Sequence, residues 1–135
     1  MFKKIIIGPG YPLRGGISES NQALYNAFKH NMEDVNIISY SLQYPKILFP
    51  GKKQFMDNIG QDVVGVDHLI NTLNPFSWFK TARHIIQEKP QYVIVRYWHP
   101  YFSICLSMIC KLLRRKSILI IAWIETGSPI FSQKR

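Results

Sequence analysis

The chain has 135 residues, of which 47% are hydrophobic and 19% are charged. This composition is typical of one globular domain and excludes an intrinsically disordered chain, which would carry fewer apolar residues. The formal net charge of +9 favours an anionic partner, either a phosphorylated ligand or an anionic membrane surface. Nucleic acid is disfavoured because the basic residues are scattered and form no basic stripe with interleaved aromatic residues.

The sequence indicates neither an export signal nor a membrane-spanning helix. The aliphatic run after the N-terminal lysines, residues 5–7, ends at a Gly-Pro break, whereas a signal peptide needs about 7–15 apolar residues. The most apolar stretch, 101–124, is interrupted by Lys111 and by the basic residues 114–116, whereas a spanning helix needs roughly 20 apolar residues. We therefore predict a cytoplasmic protein. The basic and aromatic segment 44–55 would suit peripheral contact at the inner face of the membrane, and an ordinary flexible loop is the alternative interpretation of this segment.

Two cysteines, Cys105 and Cys110, lie in an apolar stretch. Their spacing is neither the redox nor the zinc-binding Cys-x-x-Cys pattern, and the chain has no second cysteine pair to complete a metal site. The sequence therefore predicts two reduced thiols in or near the core and no metal.

Short β-branched runs alternate with helical patterns along the chain. Ser18 is the predicted N-cap of the first helix, and Asn74 with Pro75 marks the start of the second. A long irregular connection, 43–61, separates the second and third strands. The predicted elements are a strand at 4–8, a helix at 17–30, strands at 34–42 and 62–70, a helix at 75–88, a strand at 92–96, a helix at 101–113 and a strand at 117–124.

Strands that are apolar throughout and are separated by helices predict a parallel sheet covered on both faces. Right-handed crossovers then give an α/β fold, a Rossmann-like doubly wound parallel sheet of about five strands in the order 3-2-1-4-5. We assign residues 1–126 to this one domain and residues 127–135 to a short tail.

The glycine-rich loop 8–17 joins the first strand to the first helix. In an open parallel sheet, ligands bind beyond the carboxyl ends of the strands where the strand order reverses, which places this loop beside residues 98–101. Glycine lets a backbone approach a ligand, and the free N–H groups of the following helix favour an anion. The loop has neither a dinucleotide fingerprint nor a Walker A motif, so a turn that simply needs glycine is the alternative interpretation.

Three motifs in order carry a resemblance to a known family. They are Lys-Ile-Ile-Ile-Gly-Pro-Gly-Tyr-Pro-Leu-Arg-Gly-Gly-Ile at 4–17, Asn-Pro-Phe-Ser-Trp at 74–78, and Pro-Gln-Tyr-Val-Ile-Val-Arg-Tyr-Trp-His-Pro-Tyr-Phe at 90–102. Over residues 3–122 the chain resembles the N-terminal domain of GT-B glycosyltransferases of the GT4 kind. The resemblance implies the acceptor-binding half of an enzyme of polysaccharide biosynthesis, which transfers a sugar from a nucleotide-sugar donor to a saccharide or lipid-linked acceptor.

The resemblance also implies roles for residues of the glycine loop. By that match, the backbone N–H groups of Gly15 and Gly16 contact the donor diphosphate. Arg14 is a candidate to compensate the charge of the diphosphate, and a solvated loop arginine is the alternative interpretation. The nucleotide-sugar is a co-substrate, and the resemblance implies neither a cofactor nor a metal.

Further candidates follow the fourth and fifth strands. His99 is the candidate catalytic residue, since it lies where the related enzymes often place a histidine or acid near the reacting sugar, and a histidine there would donate a hydrogen bond or move a proton at neutral pH. Packing at the end of the strand is the alternative interpretation of residues 98–100. Trp98 would bind substrate as part of an aromatic platform with Tyr97, Tyr101 and Phe102, although aromatic residues at strand ends more often belong to the core. Glu125 is a further candidate substrate-binding residue, because it is the only ionisable residue of segment 122–129, where family members usually carry a histidine-containing turn.

The chain lacks the C-terminal half that holds most of the donor in such enzymes. We therefore expect the chain to be inactive alone and to need a C-terminal donor-binding subunit. Three origins of such a chain are consistent with the sequence: a truncated gene product, a subunit of a split enzyme and an excised domain. The alternative is a non-catalytic Rossmann-like binding or adaptor module that contacts an anionic ligand or a membrane surface.

Overall fold

The computed structural model describes residues 3–10, 16–42 and 65–124. Within these ranges, strands and α-helices alternate almost strictly along the chain. The elements are β1 (Lys3–Ile7), α1 (Gly16–His30), β2 (Asp34–Leu42), β3 (Val66–Asn71), α2 (Pro75–Glu88), β4 (Tyr92–Tyr97), α3 (Ser103–Arg114) and β5 (Leu119–Ile124).

All five strands form one parallel sheet in the order β3-β2-β1-β4-β5. The central strand β1 pairs with β2 and β4, so that Ile6 lies opposite both Ile37 and Ile94. The predicted α/β class, parallel pairing and strand order are therefore confirmed. Because the strand order reverses between β1 and β4, their carboxyl ends form the switch point at which such sheets bind ligands.

The sheet separates two hydrophobic layers, because alternate side chains of a strand point to opposite faces. On one face, α1 packs Tyr25 against the cluster that contains Ile6, Ile37 and Ile94. On the other face, α2 and α3 pack against the larger cluster around Tyr40. Cys105 is buried in this second layer and Cys110 is half-buried against it, both as free thiols, which confirms their predicted packing.

The ends of α2 follow the sequence closely. Asn74 is the N-cap, with its side chain accepting a hydrogen bond from the N–H of Phe76, and Pro75 is the first helical residue. The helix ends at Lys89, whose φ of 50° lies in the left-handed region, and Pro90 prevents any continuation.

Four predicted boundaries were wrong, the first being that of the fifth strand, which begins at Leu119 rather than 117. Ser18 is not an N-cap, because helical structure already begins by Gly16 and Ser18 is buried on the helix face that packs on the sheet. The third strand begins at Val66 rather than 62, after Gly65 at φ 84°; residues 62–64 lie outside the described ranges. The third helix begins at Ser103, because a 3-10 turn, Pro100–Phe102, precedes it. Among the described residues, none of the helices has the length and apolar character needed to cross a bilayer.

Candidate functional site

The segment 8–10 leaves β1 at the switch point and is held from both sides. The N–H of Gly10 donates to Ser39 Oγ of β2 at 2.9 Å. From α1, Asn21 Nδ2 donates to the carbonyl oxygen of Pro9, also at 2.9 Å. Because both side chains are fully buried, these bonds are shielded from competition with water. The beginning of the glycine loop is therefore fixed by the strand and helix beside it.

Gly8 is required by packing. A Cβ atom at this position would lie 2.5 Å from Asn21 Nδ2 and 3.2 Å from Arg96 Cβ. A real Cβ does not tolerate the first of these distances, so glycine is what lets α1 approach the end of β1. The structure therefore explains Gly8 by packing rather than by ligand binding. The predicted phosphate contacts involve other glycines of the loop, Gly15 and Gly16.

Arg96 links three elements of the switch point and was missed by the sequence analysis. Its side chain is only 1% exposed. Its Nη1 donates to Asn21 Oδ1 at 2.6 Å and approaches Ser20 Oγ at 3.3 Å, both on α1. The guanidinium group also lies 4.3 Å from the ring centroid of Trp123 on β5, within cation–π range. The sequence signal that could have identified Arg96 is a single cation near the carboxyl end of an otherwise apolar strand.

The N-terminal turn of α1 faces the same edge of the sheet. Gly16 is the first described residue of this helix, and helix N-termini offer free N–H groups and a positive dipole end. Ser18 in this turn is fully buried, and its Oγ has no hydrogen-bond partner among the described residues. The predicted phosphate-binding residues Arg14 and Gly15 lie outside the described ranges.

His99 follows β4 and caps the 3-10 turn. It is exposed, and its Nδ1 accepts a hydrogen bond from the N–H of Tyr101 at 3.0 Å. Acceptance at Nδ1 requires that nitrogen to be unprotonated, so the proton of the neutral ring lies on Nε2. His99 can therefore donate a hydrogen bond from Nε2 without disturbing the turn, whereas proton uptake at Nδ1 would break the cap.

Trp98 is half-buried and packs on other aromatic rings. Its ring centroid lies 4.4 Å from that of Phe102 and 6.3 Å from that of Tyr40, the latter in an edge-on arrangement. Phe102 is fully buried and belongs to the core, so it is not available to a sugar platform. Tyr97 and Trp98 pack against the same cluster while keeping part of their surface exposed. Glu125, the remaining candidate, lies outside the described ranges.

Comparison with known proteins gives no assignment. No family model, curated protein or solved structure matches the chain. The resemblance to GT-B glycosyltransferases is therefore untested by these comparisons, and the function has to be argued from the geometry of the switch point.

Metal-binding side chains do not converge in the described ranges. There, no group of three or more His, Cys, Asp and Glu side chains is placed to hold a metal ion. At this edge of the sheet the N–H groups of Gly8 and Gly10 already donate to Ile38 and Ser39, and the buried Arg96 donates to Asn21. The groups that remain to bond an anionic, oxygen-rich ligand are the N–H groups at the start of α1 and the exposed imidazole of His99.

The β5 edge of the sheet is apolar and open to solvent. Leu119, Ile121 and Trp123 are exposed, and Ile124 is 63% exposed. Among the residues that the structure describes, β5 is an edge strand and pairs only with β4. An uncharged edge strand with exposed aliphatic side chains is usually covered in a native protein, since it otherwise invites pairing with another chain.

Proposed function

We propose that the chain is the acceptor-side half of a GT-B glycosyltransferase of the GT4 kind. In this proposal, the loop that begins at residues 8–10 and ends at Gly16 approaches the diphosphate of a nucleotide-sugar donor. The observation that carries the proposal is the position of the glycine segment, fixed by Ser39 and Asn21 at the switch point between β1 and β4.

Each proposed role rests on a simple interaction. Backbone N–H groups of Gly15 and Gly16 at the start of α1 donate to phosphate oxygens, with Arg14 as a counter-charge. His99 donates from Nε2 to an oxygen of the sugar or acceptor, because its Nδ1 already accepts from the turn. Trp98 and Glu125 contribute to acceptor binding. Hydrogen bonds that strengthen as charge develops on the donor diphosphate would lower the barrier to sugar transfer.

The exposed apolar flank of β5 supports a second half in the active enzyme. Most donor contacts in GT-B enzymes are expected from a C-terminal domain, so this chain alone is proposed to bind nucleotide-sugar weakly and to transfer no sugar. We also place it in the cytoplasm, where nucleotide-sugars are available, with peripheral contact at the membrane.

A titration followed by amide NMR tests this function. Nucleotide-sugars with uridine and guanosine bases are added to the labelled chain, and shifts are expected at Gly8, Gly10, Gly16 and His99. The variant Asn21→Ala, which releases the segment 8–10, should weaken these shifts. The control is Asn26→Ala, which removes an exposed amide from the same helix.

Two results would overturn the proposal. Shifts that are absent at all four positions, or confined to another surface, would remove the donor site from the switch point. Inorganic pyrophosphate binding as tightly as every nucleotide-sugar would instead indicate the non-catalytic anion-binding module, since no energy would come from the nucleoside or the sugar.

A further inference from the structure

The outer surfaces of α2 and α3 form one continuous layer on the sheet face opposite α1. Exposed residues on α2 recur at 76, 79, 80, 83 and 87, and those on α3 recur at 104, 107, 111 and 114. Both series follow the helical repeat, so each helix directs one face to solvent. We call this surface, with the turn residues 115–116 and Lys89, the α2–α3 outer face.

The α2–α3 outer face is strongly cationic. Glu88 is the only carboxylate in either helix, and it forms an ion pair with Lys3 of β1. The other cations of the two helices therefore have no carboxylate within these helices to offset their charge. Those exposed on this face are Lys80, Arg83, Lys89, Lys111, Arg114, Arg115 and Lys116.

Large apolar side chains are exposed on the same face. Phe76 is 75% exposed and Phe79 is 49% exposed, one helical turn apart on α2, and Ile104 on α3 is 69% exposed. Their exposure has an unfavourable cost in water. The combination of exposed aromatic or aliphatic residues with lysine and arginine is characteristic of surfaces that lie at a membrane interface.

A groove between the two helices joins the apolar and cationic features. Its volume is about 600 Å³, and its lining includes Ala82, Ile86 and Leu112. Phe79 and the cations Arg83, Arg115 and Lys116 also line it. An apolar groove with a cationic border matches a lipid that has an acyl chain and an anionic headgroup.

We propose that the α2–α3 outer face is the surface by which this protein contacts an anionic lipid bilayer. Charge complementarity selects the anionic lipid, and the exposed Phe76, Phe79 and Ile104 favour a bilayer over nucleic acid, which offers no acyl chains to cover them. This surface differs from the segment 44–55 suggested by the sequence. It is also independent of nucleotide-sugar binding, so each proposal can fail without the other.

Vesicle flotation of the full chain tests the proposal. Phosphatidylcholine vesicles containing about one third phosphatidylglycerol should bind the wild type, pure phosphatidylcholine vesicles should not, and added salt should weaken the binding. Removing two cations in Arg83→Gln/Arg115→Gln should weaken binding about 30-fold, from about fivefold per cation. Phe76→Ser should weaken it about tenfold and leave the salt dependence unchanged.

The matched control removes two cations from the segment 44–55. Lys52→Gln/Lys53→Gln changes the net charge equally and is expected to leave binding close to that of the wild type. Because Arg83 and Arg115 are exposed, Arg83→Gln/Arg115→Gln should keep the unfolding midpoint of the wild type, and that midpoint is measured for both double variants. No binding of the wild type to the anionic vesicles, or an equal loss in both double variants, would overturn the proposal. Binding to a duplex oligonucleotide in preference to vesicles at the same salt concentration would assign the face to nucleic acid instead.

Discussion

Substituting Gly8 by alanine tests the packing at the switch point. The added Cβ would lie 2.5 Å from Asn21 Nδ2, which bonds to Pro9, while Asn21 Oδ1 accepts from Arg96 at 2.6 Å. Asn21 must therefore move and give up at least one buried hydrogen bond, which costs about 1–3 kcal/mol. The strain of overpacking adds about 1–3 kcal/mol. We expect the free energy of unfolding to fall by roughly 2–6 kcal/mol.

Urea denaturation followed by circular dichroism measures this loss. A double-mutant cycle with Asn21→Ala identifies its source, because without the Asn21 amide the alanine at position 8 meets only the Arg96 side chain, at 3.2 Å. Gly8→Ala should then cost less in the Asn21→Ala background than in the wild type. A loss below about 0.5 kcal/mol in the wild type, or equal losses in the two backgrounds, would refute the account of this packing.

Three further predictions concern individual side chains. Burial raises the pKa of the Cys105 thiol to about 11 and raises the pKa of the Cys110 thiol. Because the thiolate is the reactive form, a thiol reagent at pH 8 should modify the native chain far more slowly than the urea-unfolded chain. Rapid reaction of both thiols in the native chain would contradict this prediction. The hydrogen bond from Lys3 lowers the pKa of Glu88 below its ordinary value of 4.5. The ion pair therefore stabilises the folded chain fully above about pH 4.5, and this stabilisation is lost as the pH falls through the lowered pKa of the folded state. Glu88→Gln should thus lower the urea midpoint at pH 7 and have little effect in strong acid, and an effect independent of pH would disprove the link. Asn74→Ala should destabilise the chain by about 1 kcal/mol, with Asn74→Ser near wild type, because a serine hydroxyl can accept the same capping hydrogen bond from the N–H of Phe76; equal losses in both variants would show that the cap is not the cause.

The fold was predictable because its signals are local. Runs such as 92–96 are apolar and β-branched, and helical patterns follow the first, third and fourth strands, so the strand order could be predicted from the handedness of the crossovers. The errors came from competition between local signals. Ser18 has the chemistry of an N-cap, but Gly16 and Ile17 before it are helical. His99 caps the 3-10 turn Pro100–Phe102, so α3 begins only after that turn, at Ser103.

The site was less predictable because its contacts are distant in sequence. Arg96 bonds to Asn21 across 75 positions, and although Arg96 lies within the motif at 90–102, that motif does not indicate Asn21 as its partner. Gly8 looked like part of a ligand loop, whereas its lack of a side chain is explained by the approach of α1. The roles of Arg14, Gly15 and Glu125 depend on resemblance alone, since these residues lie outside the described ranges.

The central claim is that the switch point recognises a diphosphate attached to a nucleoside and a sugar. The most direct measurement is the affinity of the chain for a nucleotide-sugar relative to the corresponding free nucleoside, read from the amide shifts of Gly10 and Gly16. The account predicts at least about tenfold tighter binding of the nucleotide-sugar, because each factor of ten needs only about 1.4 kcal/mol from phosphate hydrogen bonds. Equal affinities, or no shift of either amide, would contradict it.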